Sequence, residues 1–450
     1  MKKFLKLTTC LLIAIATIGL TACGSNPKPS VNTSIKSVGN GGISVISNGY
    51  VYFVNGYSSY ESYTKSNLSN KFEVGGLYRA KLNEYGKVTY DDKGNIENLT
   101  RISGDLAGFE STSLYVFGDH IFYTKPTTNV DKQGELQTSK IDFCKMNLDG
   151  SNSTIIYSSK NEAKDIDFEY YYADGGIYLL VNEKGTLTRI NCWGKFNKEV
   201  VDEDVKSVVL HKVEDDVFES DAYKQIFYTT INEDSKIVIN NYNILSGEKY
   251  SVTTNYKTCE LLDYQFNHLY YKASENSYPS KTYVYRIDAT NNALKNMMHE
   301  RVTQTEYTNF YFLENETDGY IAQTSDKTYY LSYTAGGIGE AYPIADSKLE
   351  IMTVAEGKIY FKSSNDIKYI DYYDFKQNPN TVATQHTLVT VTDMQTYDYD
   401  IDTNYLYVYA KKGENTYLYN IYINNIIEGE TIEAKHLGSY LSTDIEEEKE

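Results

Sequence analysis

A short unit that recurs eight times along the chain constrains the fold more than any other feature of the sequence. Most copies consist of a turn containing Gly, Asn or Asp, followed by an apolar residue and one or two aromatic residues. The copies centre on Tyr52, Phe122, Tyr178, Phe227, Tyr270, Ile321, Tyr360 and Tyr407. Around them, apolar and polar residues alternate in short runs rich in Tyr, Ile, Val and Thr, a pattern typical of strands separated by turns. The sequence therefore predicts an all-β fold across residues 39–440.

The spacing of this unit indicates a β-propeller. Successive copies lie 39 to 70 residues apart, and an interval of 40–50 residues with three or four strands has the size of a propeller blade. A further strand is predicted before the turn, as in Leu349–Val354, and another after it, as in Tyr283–Asp288. A single blade would expose two apolar faces, so blades must stack in a ring until the edges are protected. We predict eight blades, with seven as the alternative because the copy at Tyr320 matches the unit poorly.

Two kinds of segment resemble the repeats of a known propeller family. Ile121–Lys125 and Ile226–Thr230 are similar to the I-Y-W-T-D motif, and Lys145–Ser151 is similar to the R-x-x-L-D-G-S motif that follows it. Both motifs belong to the YWTD propellers of LDL-receptor-like proteins and to related bacterial domains of uncharacterised function. Tyr replaces the motif Trp in both copies. The resemblance implies a propeller that serves as a binding module. Independently of it, Asp149-Gly150 predicts a tight hairpin turn that needs a positive φ.

The N-terminus has the three parts of a secretory signal. Three lysines lie among the first six residues, an apolar stretch covers residues 10–20, and small residues precede Cys23. The stretch is too short to span a membrane, which needs about 20 apolar residues. The letters LTAC at residues 20–23 resemble the lipobox of bacterial lipoproteins. The resemblance implies cleavage of residues 1–22, a diacylglyceryl group on the Cys23 thiol and acylation of the new N-terminus. The alternative is a cleaved signal beside an incidental Cys.

Composition disfavours some partners and indicates the kind of host cell. Without residues 1–22, the chain keeps 40 basic and 61 acidic residues, a net charge of about −21. Such a charge argues against nucleic acid as a partner and against electrostatic adhesion to anionic lipid. Lipid at Cys23 would then hold the protein on the membrane. Lysine is far commoner than arginine, which is typical of an AT-rich genome and indicates a Gram-positive host. In such a cell we expect the anchored protein on the outer face of the cell membrane.

The two ends of the chain read as non-globular segments. Residues 23–38 are polar and contain Pro27 and Pro29, and they predict a flexible tether after the lipidated Cys. Residues 441–450 form an acidic tail that we expect to be disordered. Between them, Cys144, Cys192 and Cys259 lack C-x-x-C spacing. We expect buried free thiols, with one disulfide and one remaining thiol as the alternative.

No catalytic motif emerges from the sequence. His299-Glu300 lacks the second His that a zinc protease carries one helical turn later. The other histidines are scattered, and no G-x-S-x-G elbow is present. We therefore expect no catalytic residues and no resident cofactor. The alternative is a surface-tethered propeller that acts on carbohydrate or another hydrolysable substrate with a pair of carboxylates.

Calcium is the one metal for which the sequence offers candidates. Asp398, Asp400 and Asp402 alternate with other residues, so a strand would place all three carboxylates on one face. Carboxylate oxygens are the ligands that Ca²⁺ prefers. The alternative is a strand edge that faces solvent or the central channel.

The sequence thus predicts a lipid-anchored propeller that binds a protein or a glycan or acts as a scaffold, with Cys23 as the lipidation site. The 46 tyrosines fit recognition, because a Tyr side chain offers apolar area together with a polar tip. The alternative is that most of them pack between blades.

Overall fold

Eight four-stranded antiparallel sheets make up the fold in a computed structural model of the chain. The structure describes residues 41–55, 76–92, 96–103, 114–127, 132–133, 140–212, 223–265, 267–289, 299–313, 319–334, 337–377, 383–400, 405–412, 415–423, 426 and 435–441. Within this part of the chain every sheet is one contiguous run of four strands, paired in the order of the sequence. The prediction of an all-β propeller with eight blades is confirmed, and the alternative of seven is wrong.

The first half of the ring comprises blades 1 to 4. Blade 1 contains β1 (Ser44–Ser47), β2 (Tyr50–Asn55), β3 (Gly76–Lys81) and β4 (Leu99–Ser103); blade 2, β5 (Tyr115–Phe117), β6 (His120–Pro126), β7 (Ile141–Asn147) and β8 (Thr154–Ser158); blade 3, β9 (Ile166–Ala173), β10 (Gly176–Glu183), β11 (Thr186–Asn191) and β12 (Lys198–Asp202); and blade 4, β13 (Ser207–Lys212), β14 (Tyr223–Ile231), β15 (Ile237–Asn243) and β16 (Lys249–Thr253).

The second half of the ring repeats this plan. Blade 5 contains β17 (Thr258–Gln265), β18 (His268–Ser274), β19 (Thr282–Asp288) and β20 (Glu300–Arg301); blade 6, β21 (Asn309–Phe312), β22 (Gly319–Gln323), β23 (Thr328–Thr334) and β24 (Gly337–Ala345); blade 7, β25 (Glu350–Ala355), β26 (Lys358–Ser363), β27 (Asp366–Asp371) and β28 (His386–Thr390); and blade 8, β29 (Thr392–Asp400), β30 (Tyr405–Lys412), β31 (Asn415–Tyr422) and β32 (Lys435–Leu441). A short 3-10 helix (Ala163–Asp165) precedes β9, and helix α1 (Tyr372–Gln377) follows β27.

The recurring aromatic unit of the sequence forms the second strand of every blade. All eight of its central residues lie in β2, β6, β10, β14, β18, β22, β26 and β30. These strands are almost fully buried, whereas fourth strands such as β4 and β16 are largely exposed. First strands of neighbouring blades contact each other, as β1 contacts β5 and β29. The first strand of each blade is therefore innermost and the fourth strand outermost.

The apolar core is divided among the seams between blades. The described residues form eight buried clusters, and each cluster joins two neighbouring blades. In the seam between blades 8 and 1, Val51 and Phe53 pack against Tyr407 and Tyr409. A fully buried side chain of this size contributes about 1.5–3 kcal/mol through the area it removes from water. Most of the largest fully buried side chains are tyrosines, so the alternative that tyrosines pack between blades accounts for many of them.

The ring closes by side-chain packing. Among the described strands, none is contributed to a blade by another part of the chain. Blades 8 and 1 are held by the cluster above and by the Tyr409 hydroxyl, which donates a hydrogen bond to the Val54 carbonyl. Because strands 1 and 4 of a four-stranded meander run in opposite directions, each blade begins and ends on one face of the ring, which we call the terminal face. The hairpins that join strands 1–2 and 3–4 lie on the opposite face.

The Asp149-Gly150 turn has the predicted geometry. It joins β7 to β8, the Gly150 amide donates to the Asn147 carbonyl at 2.9 Å, and Gly150 has a φ of 88°. The Asp149 carboxylate accepts from the Ser151 amide at 2.9 Å. The motif-like segment therefore closes a blade hairpin on the opposite face.

Candidate functional site

A concave cleft lies between blades 5 and 6. Its volume is about 370 Å³. One wall is the segment 302–307, which follows the outermost strand of blade 5, and the other is formed by β22, β23 and β24 of blade 6. The lining residues are Val302, Thr303, Gln304, Thr305, Tyr307, Tyr320, Leu331, Ser332, Glu340, Ala341 and Tyr342. The cleft thus lies near the outer rim of the ring.

The floor of the cleft is apolar and rigidly held. Tyr307, Tyr320 and Leu331 belong to the buried cluster that joins blades 5 and 6. The Tyr320 ring lies edge-on to Phe312, with their centroids 6.1 Å apart, and its hydroxyl is 2.8 Å from the hydroxyl of Tyr270. Because the rings are packed on several sides, the floor is formed before any ligand arrives.

Strand register decides which side chains of β24 face the cleft. Ala341 pairs with Leu331 of the floor, so both side chains lie on the face towards blade 5. Tyr342 pairs with Tyr330, and both pack into the cluster between blades 6 and 7. The Glu340 carboxylate accepts a hydrogen bond from the Tyr342 hydroxyl, which places it on that same far side of the sheet. Glu340 and Tyr342 therefore border the cleft with their main chain.

Glu340 and Tyr342 are coupled to each other. The hydrogen bond to Glu340 is the main cause of a raised pKa of Tyr342. On the β23 side, the Ser332 hydroxyl accepts from the Glu340 amide at 3.2 Å, at a register shift in the β23–β24 pairing. The rim of the cleft therefore offers hydroxyl, amide and main-chain groups, and no charged side chain of the lining set points into it.

A second feature is a pair of carboxyl groups on innermost strands. Glu169 lies on β9 of blade 3 and Asp263 lies on β17 of blade 5. Burial, together with the charge of Asp263, raises the pKa of Glu169 to about 7. Burial also raises the pKa of Asp263, although its carboxylate accepts hydrogen bonds from Gln265 Nε2 at 2.9 Å and from the Tyr264 amide at 2.7 Å. The Glu169 carboxyl group therefore keeps its proton at a higher pH than an exposed Glu does.

The predicted site residues fall largely outside the described residues. This is true of Cys23 with the tether, of Asp402 and of residues 442–450 of the acidic tail, whereas Leu441 is the last residue of β32. Asp398 and Asp400 lie on β29 opposite Tyr407 and Tyr405, and their side chains are also outside the described set. Within the described part of the chain, no three His, Cys, Asp or Glu residues come together as metal ligands. The calcium prediction at Asp398, Asp400 and Asp402 stays a prediction.

His299 and His120 each contact neighbouring aromatic or acidic groups. His299 Nδ1 is hydrogen-bonded to the Tyr271 hydroxyl, and burial lowers the His299 pKa. His120 Nδ1 lies 2.8 Å from Asp119, with its ring edge-on to Trp193. The contact of His120 with Trp193 joins blades 2 and 3, whereas His299 and Tyr271 both belong to blade 5.

The three cysteines within the described residues carry free thiols. Cys144 and Cys192 are buried, and Cys259 is half-buried. Burial raises the pKa of the Cys259 thiol to about 12, which disfavours the reactive thiolate. The expectation of free thiols is confirmed for all three cysteines, and the expectation of burial is confirmed for Cys144 and Cys192.

Comparison with known proteins finds likeness only among solved structures. The chain matches no protein-family profile and no curated protein sequence. It is similar to the β-propeller domain of the Trilobed protease from Pyrococcus furiosus, with 10% identity over 71% of this chain and 94% of that chain and a TM-score of 0.42. TolB from Acinetobacter baumannii aligns with 11% identity over 67% of this chain and 77% of that one, with a TM-score of 0.30.

A third similar structure is apo AztD from Citrobacter koseri, with 12% identity over 68% of this chain and 80% of that chain and a TM-score of 0.40. At these identities the likeness concerns the fold alone. Across the described residues, no helix has both the length and the apolar character needed to cross a membrane.

Proposed function

We propose that the protein is a lipid-anchored, extracytoplasmic β-propeller that acts as a binding module. The observation that carries this proposal is the preformed cleft between blades 5 and 6. Its volume falls in the range of small-molecule sites, and its apolar floor with a few polar rim groups is the usual composition of such sites. The resemblance of several repeats to YWTD propellers supports the same kind of role.

The anchor part of the proposal rests on Cys23 and the segment before it. Two acyl chains are enough for stable membrane attachment, whereas one chain binds only reversibly. We expect Cys23→Ala to move the protein from the membrane fraction to the medium or the soluble fraction. Cys10→Ala is the matched control, because Cys10 lies inside the proposed signal. Equal membrane retention of wild type and Cys23→Ala would contradict the anchor.

The binding part is tested with the full-length protein purified in a detergent that contains no sugar. A glycan array and a pull-down from envelope extracts should each be screened with the protein. A ligand recovered from either screen without chemical change supports the proposal. If the protein converts a bound compound into product, the proposal of a pure binding module is wrong.

A hydrolytic enzyme is the second candidate, and Glu169 with Asp263 is the observation that favours it. Hydrolases of glycosidic bonds use two carboxyl groups, one of which is kept protonated near neutral pH by its surroundings. Glu169→Gln should abolish any hydrolysis found in the glycan screen, while Glu162→Gln at an exposed position should not. Hydrolysis that survives Glu169→Gln would remove this candidate.

A further inference from the structure

We propose that the cleft between blades 5 and 6 binds a single ring of a neutral saccharide. This inference rests on the proposed binding function and names its ligand class. A pyranose ring has an apolar face of C–H groups and a rim of hydroxyl groups. The cleft has the matching arrangement, an apolar floor and an uncharged polar rim.

The floor suits the apolar face of a sugar ring. Leu331 and Ala341 lie side by side on the face towards blade 5, next to Tyr320. Tyr307 closes the floor from the side of blade 5, and its ring lies edge-on to Tyr329 with centroids 6.0 Å apart. Since Tyr307, Tyr320 and Leu331 are already packed in the seam, binding costs little conformational entropy on the protein side.

The rim suits hydroxyl groups. Gln304 and Thr305 are exposed at the mouth, Ser332 is half-buried, and the main chain of residues 340–342 adds polar groups. An amide and hydroxyls both donate and accept, as sugar hydroxyls do. The rim therefore matches a ligand with several neutral hydrogen-bonding groups.

The position of Glu340 excludes charged ligands. Its carboxylate lies on the far side of the sheet with the Tyr342 hydroxyl, and the other lining side chains are uncharged. A charged group placed in the cleft would lose water without gaining an opposite charge, which is unfavourable. A volume of about 370 Å³ also limits the site to one ring with its substituents.

The test uses full-length protein in a sugar-free detergent, with cellobiose, maltose and N,N′-diacetylchitobiose as separate probes in saturation-transfer NMR and calorimetry. We expect at least one of them to bind. Ala341→Trp, which fills the cleft from an exposed position, should weaken binding at least tenfold. Val200→Trp is the matched control, since Val200 is an exposed residue on the outermost strand of blade 3, and it should leave binding unchanged. Gln304→Ala should also weaken binding.

Several results would overturn the inference. It is wrong if none of the three probes binds at millimolar concentration, or if Ala341→Trp binds as tightly as wild type. It is also wrong if choline or acetate competes with the bound disaccharide. Recovery of a protein partner whose binding Ala341→Trp leaves intact would overturn the saccharide site while the proposed binding function stands. Failure of every screen would remove both.

Discussion

Backbone geometry and burial at single residues affect the stability of the protein in ways that composition does not reveal. Gly150 illustrates backbone geometry, and Glu169 illustrates burial. Gly150 has a φ of 88°, and a Cβ placed on it would lie 2.5 Å from the Ile102 carbonyl oxygen. Gly175 also has a positive φ, 72°, but a Cβ there would meet nothing within 4 Å. The pair separates the effect of a contact with the neighbouring blade from the effect of the backbone conformation.

Gly150→Ala should lower the free energy of unfolding more than Gly175→Ala does. Both variants carry a backbone cost of about 1–3 kcal/mol for a side chain at positive φ, but only Gly150→Ala also collides with main chain. Urea unfolding followed by circular dichroism measures the difference. Equal losses in the two variants would show that the Ile102 contact has no energetic effect.

The raised pKa of Glu169 predicts a pH dependence of stability. An acid whose pKa rises from 4.5 to about 7 on folding contributes stability that is fully present below pH 4.5 and is lost as the pH rises through 7. We expect this group to remove about 1–3 kcal/mol between pH 4.5 and 8. Glu169→Gln should flatten that part of the profile, measured by chemical unfolding at several pH values. A profile unchanged in Glu169→Gln would contradict the raised pKa.

Gly150 and Glu169 differ in how far the sequence predicts their properties. The Asp-Gly pair at 149–150 is a local turn signal, so the positive φ of Gly150 follows from the sequence. Glu169 is an acid within an aromatic strand, and its pKa depends on Asp263, almost one hundred residues away. Only the ring brings these two carboxyl groups together.

At the scale of elements, cations on third strands link consecutive blades. Arg79 of β3 donates to the Leu148 carbonyl of blade 2 at 3.2 Å, and Lys145 of β7 donates to the Cys192 carbonyl of blade 3 at 2.7 Å. Each acceptor directly follows the third strand of the next blade. The Lys145 ammonium also lies 3.9 Å from the centre of the Trp193 ring. The repeated geometry makes these cations structural ties between neighbouring blades.

Lys145→Met should destabilise the protein by about 1–3 kcal/mol, because a buried carbonyl loses its charged donor and Trp193 loses a cation–π contact. Trp193 is the sole Trp, so the loss of the ammonium group beside its ring should change the wavelength of its emission maximum in this variant. Lys195→Met, at an exposed lysine of the adjoining turn, is the control and should change neither property. Unchanged stability and emission in Lys145→Met would show that the tie is not a stabilising contact.

Elements differ in how well periodicity predicts them. Second strands are buried and aromatic in every blade, so their pattern identified all eight. Outermost strands are exposed and irregular, as β20 has only two residues, and they leave little periodic signal. The cleft could not be predicted from either pattern, because its floor combines Tyr307 from the connection after β20 with Leu331 from the next blade.

At the scale of the whole molecule, the seam between blades 8 and 1 differs from the other seven. The other seams join blades that are consecutive in the chain, whereas this one is held by packing and by the bond from Tyr409 to Val54. A comparable bond crosses the seam between blades 3 and 4, where the Tyr228 hydroxyl donates to Asp202 at 2.8 Å. Local opening should therefore begin at the seam that lacks a covalent connection.

Tyr409→Phe tests this expectation, with Tyr228→Phe as the matched control. Each change removes one hydroxyl at a seam and should cost about 1 kcal/mol. In Tyr409→Phe we expect faster amide hydrogen exchange in β1, β2 and β30, measured by mass spectrometry. In Tyr228→Phe the exchange of blades 3 and 4 should change little, because their linker keeps them adjacent. Equal acceleration at both seams would contradict a weak point between blades 8 and 1.

Because every described blade is one contiguous run of four strands, the fold hardly depends on which blade comes first in the chain. The described chain starts β1 and finishes β32 on the same face, so a short peptide could join these points and a new break could be opened in any blade-to-blade linker. Such a circular permutant would keep every described strand and all eight seams. What would change is the blade at which the chain begins and ends, and therefore the position of the cleft between blades 5 and 6 relative to the proposed lipid anchor.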